Sequence, residues 1–109
     1  MDIHNIVTRY VAAAIAHGEA TLDDYRTANE QYSKKRKALH ELEDLGRRDL
    51  LLDLLEHDNA FVRCSAAADT LRIDEQRATS ALKDLTKERG IVGFNAKMIL
   101  QEWKKGNLR

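Results

Sequence analysis

Proline is absent from this 109-residue chain, and only five glycines interrupt it. Few positions therefore force a helix to stop, so long helices with short connections are expected. The single cysteine, Cys64, excludes an intramolecular disulfide framework and fits a reducing compartment. Charge of one sign is also missing: 18 Lys and Arg face 18 Asp and Glu. A general nucleic-acid binder draws affinity from a basic excess that releases phosphate counterions, and the totals show none. No apolar run approaches the roughly 20 residues of a membrane-spanning helix. The stretch Val11 to Ala16 is too short for a signal-peptide core, Asp2 lies near the start, and His17-Gly18-Glu19 follows without a small-x-small cleavage pattern. The expected location is the cytoplasm, away from any membrane.

What remains is 43% hydrophobic and 33% charged, enough for one core under a charged surface and too polarised in pattern for disorder. The expectation is one domain over residues 1–109. Apolar residues recur at helical steps throughout. A first helix is predicted over Ile3–Ala16, with Ile3, Ile6, Val7, Tyr10, Val11 and Ala14 as its stripe and Gly18 just past its end. Thr21 is expected to cap a long second helix, with Asp23 and Asp24 in its first turn, where the helix dipole favours negative charge. Its apolar positions are Leu22, Tyr25, Ala28, Tyr32, Leu39, Leu42 and Leu45, and Tyr25, Tyr32 and Leu39 are spaced as a heptad. The run Lys34-Lys35-Arg36-Lys37 interrupts that stripe, so the helix bends there or lysine stems cover core.

Gly46 breaks the pattern before a leucine-rich third helix, Arg47 to about His57. A fourth helix, about Ala60 to Leu71, is rich in small residues. Asp74 caps a fifth, running to Arg89, with Ala78, Ala81, Leu82 and Leu85 inward. Gly90 precedes a sixth, Ile91 to about Lys104, with Val92, Ala96, Ile99 and Trp103 on one stripe and Phe94, Met98 and Leu100 beside it.

Leu52, Leu55, Val62 and Ala66 return as Leu82, Leu85, Val92 and Ala96, each 30 residues later. A helix pair repeated at fixed spacing is the pattern of an α-solenoid, in which each hairpin buries its apolar face against its neighbours. The predicted fold is all-α: a short α-α superhelix of about three hairpins. The segment from Leu54 to Leu71 resembles the HEAT-repeat core, with Asp58 four residues before Val62-Arg63 and an Ala-Ala pair ahead of Leu71. The chain is also similar to an uncharacterised bacterial family of small helical domains. Three stretches carry that likeness: Asn29 to Tyr32, Asp58 to Ala68, and Gly93 to Gly106. That family often has proline at the Asp58 turn, where this chain has Asn59, also suited to a turn before a helix. The resemblance implies a fold and transfers no activity.

Chemical motifs are sparse. His4, His17, His40 and His57 share no ligand spacing, and His40-Glu41 lacks the second histidine of a zinc-protease helix, so no metal or cofactor is expected. Cys64, amid alanines, reads as a core thiol. No phosphate loop, serine elbow or paired-carboxylate motif is present, so the chain reads as a binding module and not an enzyme. Arg63 with Asp58 or Asp69 reads first as a ladder of structural hydrogen bonds. Trp103 and Phe94 read as core before interface. The leading expectation is a protein partner, held on polar positions of the fourth and sixth helices: Arg63, Asp69, Arg72, Lys97 and Gln101. By analogy with other compact helical inhibitors, that scaffold could be immunity or antitoxin-like. Nucleic acid gripped by Lys34 to Lys37 is the disfavoured alternative, because Glu41, Glu43 and Asp44 follow within two turns. A homodimer through an uncapped end of the stack is the third.

Overall fold

Tyr10 is fully buried and Trp103 lies in an apolar cluster of later residues, and the computed structural model, which describes residues 2–21 and 23–107, divides into two compact units. One unit spans Met1–Leu50 and the other Leu51–Arg109. Five α-helices and one 3-10 helix make up the regular structure, and no strand occurs among the described residues. The all-helical expectation holds.

The first unit is a hairpin of α1 (Ile3–Ala20) and α2 (Tyr25–Asp44). The side chain of Asp2 accepts from the His4 amide at 3.0 Å and caps α1, whose Ile6, Tyr10, Ala13 and Ala14 are buried. Gly18 lies inside this helix and not beyond it. Four more residues than expected are helical, because Thr21 closes α1 from its C-terminal side, its hydroxyl donating to the His17 carbonyl at 2.7 Å. Thr21 is therefore not the cap of α2. That place belongs to Asp24, whose carboxylate accepts from the Thr27 amide at 3.1 Å and from the Thr27 hydroxyl at 2.6 Å. These bonds also hold the Asp24 carboxyl below its ordinary range, through the Thr27 hydroxyl first and the Thr27 amide second. Leu22, counted above in the second helix, lies outside the described residues.

Arg9, early in α1, meets Glu41, late in α2, at 2.8 Å, and His17 meets Tyr32 with ring centroids 5.5 Å apart, so the two helices run antiparallel. The buried stripe of α2 is Ala28, Ala38, Leu39 and Leu42, with Gln31 and Lys35 half-buried between them. The heptad through Tyr25 and Tyr32 is not buried: they are 71% and 45% exposed. The helix passes unbroken through the lysine run. Gly46 ends it at φ 67°, its amide on the Glu43 carbonyl at 3.0 Å and the Arg47 amide on that of Leu42 at 2.9 Å. This is the Schellman arrangement, which requires the left-handed backbone that glycine adopts without cost.

Arg48–Glu56, expected to be α, is a 3-10 helix. In such a helix residues three apart eclipse, and Leu52 with Leu55 is such a pair. The second unit continues with α3 (Ala60–Asp69), α4 (Glu75–Leu85) and α5 (Ile91–Lys104). Asn59 caps α3 through the Phe61 amide at 2.8 Å, and Asp74 caps α4 through the Arg77 amide at 3.1 Å. Both α3 and α4 end earlier than periodicity predicts, at Asp69 and Leu85. Leu55, Ala66, Leu71, Leu82, Val92, Ala96 and Trp103 form the core with Cys64, 8% exposed, among them. Seven of the eight residues in the 30-residue repeat are buried, and Leu52 is half-buried.

Gly93, in the first turn of α5, is what lets that helix approach the chain after α4. A Cβ there would fall on the Glu88 carbonyl oxygen and 3.1 Å from its carbon. At the other end of α5, the Trp103 indole donates to the Glu75 carboxylate at 2.8 Å, tying the helix to the start of α4.

Candidate functional site

The residues nominated from sequence stand in different settings. Arg63 is a structural clamp: its Nη1 donates to the carbonyls of His57 at 2.7 Å and Asp58 at 2.9 Å, while Nη2 lies 3.6 Å from Glu88. It thereby pins the turn that feeds α3, using backbone oxygens where a carboxylate ladder was expected. Asp69 ends α3, half-buried, and Arg72 is exposed in the turn that follows. Lys97 and Gln101 are exposed one turn apart on α5 and so share a face.

Beside them stand two residues that sequence reasoning put near the core. Phe94 is 60% exposed and Met98 42%. Phe94, Lys97, Met98 and Gln101 follow one another at helical steps, so the outer face of α5 is an apolar pair flanked by polar side chains. Lys104 and Lys105 extend it, both exposed, and Glu102 accepts from Asn107 and pairs with Lys105 at 3.8 Å. The face is therefore apolar at its centre and basic at its edge. The signal available in sequence was that Phe94 falls outside the Val92, Ala96, Ile99, Trp103 stripe.

A groove of about 520 Å³ opens over α4, floored by Leu55 and Ala81 and edged by Glu56, Arg77, Ser80 and Asp84. A recess of about 260 Å³ adjoins it, where Arg63 and Glu88 meet Leu85. Their arginines are turned to structural tasks, since Arg77 reaches the Leu52 carbonyl at 3.5 Å and Arg63 holds the turn. Among the described residues no three His, Cys, Asp or Glu side chains are grouped as metal ligands would be, and every buried side-chain nitrogen or oxygen has a hydrogen-bond partner. No described helix is long and apolar enough to cross a membrane.

In the first unit, α2 carries its charge in two blocks. Its last five residues contain Glu41, Glu43 and Asp44, at the end where the helix dipole disfavours carboxylates. Partners from outside the lysine run answer two of them: Arg9 holds Glu41, and Arg48 lies 3.0 Å from Glu43. Hydrogen bonding from Arg9 lowers the Glu41 carboxyl below its ordinary range. Nearby, Lys35 places its Nζ 5.1 Å from the centre of the Tyr32 ring. Partial burial, and secondarily the Lys35 charge, push His17 below its usual value.

These faces belong to an all-helical protein. No family model matches the chain, and no curated protein matches its sequence. A solved structure does: the crystal structure of the protein RPA1889 from the bacterium Rhodopseudomonas palustris CGA009 matches with a TM-score of 0.89 and 24% identity, over 97% of this chain and 91% of that one. At that identity the likeness shows the fold alone.

Proposed function

We propose that the chain is a non-catalytic protein-binding module of HEAT-like helix pairs, acting in the cytoplasm, whose binding surface is the outer face of α5. One observation carries the reading: Phe94 and Met98, one turn apart, expose large apolar side chains while Lys97 and Gln101 flank them. Aromatic and thioether side chains at the centre of a polar rim are the usual anchors of a protein interface. The basic edge of the face suits a partner that offers an apolar pocket rimmed by carboxylates. In its most specific form the reading makes this an immunity or antitoxin-like protein, covering a working surface of that partner.

The test is a pull-down from the native host with the wild type and with Phe94→Ala/Met98→Ala. The expected result is a stoichiometric protein partner, bound roughly tenfold or more weakly by the double variant at unchanged thermal stability. Equal recovery by both proteins overturns the assignment of this face, and recovery of no partner by either overturns the module. If the only partner is a second copy, light scattering shows a dimer that the double variant lacks.

A further inference from the structure

We propose that the outward face of α2 binds single-stranded nucleic acid, with Tyr25 as the stacking platform and Arg26, Arg36 and Lys37 as the phosphate contacts. Zero net charge conceals a segregation. From Tyr25 to Leu39 the sequence holds five cations, Arg26, Lys34, Lys35, Arg36 and Lys37, against one carboxylate, Glu30. Two of the three acids that follow in sequence have their ion pairs with residues outside this block. Glu41 is taken by Arg9 at 2.8 Å, with Lys37 contributing a weaker attraction, and Glu43 by Arg48 at 3.0 Å and His40 at 3.4 Å. Arg26, Lys34 and Arg36 are exposed and make no ion pair among the described residues.

Aromatic surface lies on the same face. Tyr25, Tyr32 and Arg36 succeed one another at steps of seven and four, so they line one side of the helix, the tyrosines about 10 Å apart along the axis. Tyr25 is 71% exposed. Tyr32 is held from within by His17 and Lys35 and presents its remaining surface outward. Cations that track a phosphate chain beside aromatic rings open to bases are the two elements of sequence-tolerant single-strand binding. A duplex keeps its base faces stacked and would leave Tyr25 unused. This site is in the other unit from the α5 face and draws on different chemistry, so the two readings stand or fall separately.

The experiment is fluorescence anisotropy of the full chain with labelled oligothymidylate and oligouridylate of about 12 nucleotides. Titrations begin at about 50 mM salt and move upward. Three phosphate contacts predict a slope of log K on log salt of about −2, at roughly 0.7 per contact. Tyr25→Ala is expected to weaken binding roughly tenfold while leaving that slope unchanged. Arg26→Gln/Arg36→Gln/Lys37→Gln is expected to abolish the slope and most of the affinity, and Lys83→Gln/Lys87→Gln, on the other unit, to change neither. A preference for one oligonucleotide decides between DNA and RNA as the ligand. The proposal is overturned by no anisotropy change at the lowest salt, by unchanged binding of the triple variant at unchanged helicity, or by a duplex that competes equally while Tyr25→Ala has no effect.

Discussion

Replacing Gly93 by alanine sets two opposed effects against each other, and the structure decides the sign. Within a helix, glycine is worse than alanine by about 1 kcal/mol, so the substitution alone should stabilise. The added Cβ, however, falls on the Glu88 carbonyl oxygen, with the Glu88 carbonyl carbon at 3.1 Å and the Thr86 oxygen at 3.4 Å. These are backbone atoms, so no side chain can swing aside. Either α5 withdraws from the turn after α4 or that turn moves. Overpacking in a closed interior costs about 1–3 kcal/mol, and a backbone obstacle belongs at the upper end. After the propensity gain is offset, a net loss of about 1–2 kcal/mol remains. In a chain of this size that lowers the melting temperature by roughly 5–15 °C. Urea unfolding followed by far-UV circular dichroism measures it. Lys97→Ala against Lys97→Gly, on the exposed face of the same helix, calibrates the propensity term. A Gly93→Ala protein more stable than wild type by the calibrated amount would show that α5 does not approach the Glu88 backbone closely, and the account of that glycine would fail.

Three further outcomes follow from named contacts. Trp103→Phe keeps most of the ring packing and removes the indole donor to Glu75; because Glu75 is exposed, the cost should be about 1 kcal/mol, against about 3–5 kcal/mol for Trp103→Ala, both read from urea midpoints. His17 has its pKa lowered, chiefly by burial, so the unfolded chain binds its proton more readily than the folded one. The His17 contribution is fully present above its ordinary value near 6.5 and is lost as pH falls through the lower folded value; the slope of stability with pH just below 6.5 should therefore flatten in His17→Gln, and an unchanged slope would contradict the burial of that ring. Asp74→Ala removes the side chain that accepts from the Arg77 amide and should cost about 1 kcal/mol, whereas Thr21→Ala should leave the start of α2 intact, as amide exchange of residues 25–28 would show.

The readable parts of the fold were those where one residue type answers one physical demand. Gly46 closes α2 at positive φ, Asn59 and Asp74 both reach amides in the turn ahead, and seven of the eight positions in the 30-residue echo are buried. The unreadable parts had two competent candidates. Thr21 and Asp24 can each cap a helix from its N-terminal side. Thr21 instead turns its hydroxyl back to His17, and Asp24 is fixed by its pairing with Thr27, a spacing of three that the sequence did contain. The leucines from Leu50 to Leu55 fit a 3.6-residue and a three-residue repeat almost equally, so periodicity could not separate an α-helix from the 3-10 helix that forms.

A different kind of misreading concerns Tyr25, Tyr32, Phe94 and Met98. Each was placed on or beside an apolar stripe because of its type, and each is exposed where the true stripe runs through smaller or more polar neighbours: Ala28, Gln31, Lys35 and Ala38 in α2, Val92 and Ala96 in α5. Boundary errors such as Thr21 cost the fold nothing, since either cap starts a helix within a turn of the same place. Leaving four large aromatic or thioether side chains in water does forgo burial, about 25 cal/mol for every Å² of apolar surface that stays exposed. Positions where local hydrophobicity and tertiary burial disagree are where a fold gives up stability to something else. Here those positions fall on two faces of opposite composition from the core they border, each edged by exposed cations. Of the five polar residues chosen from sequence, by contrast, Arg63 clamps a turn, Lys97 and Gln101 flank the α5 face, and Asp69 and Arg72 lie at and just after the end of α3. On both proposed faces, it is the exposed aromatic that sets the surface apart and the charges that edge it.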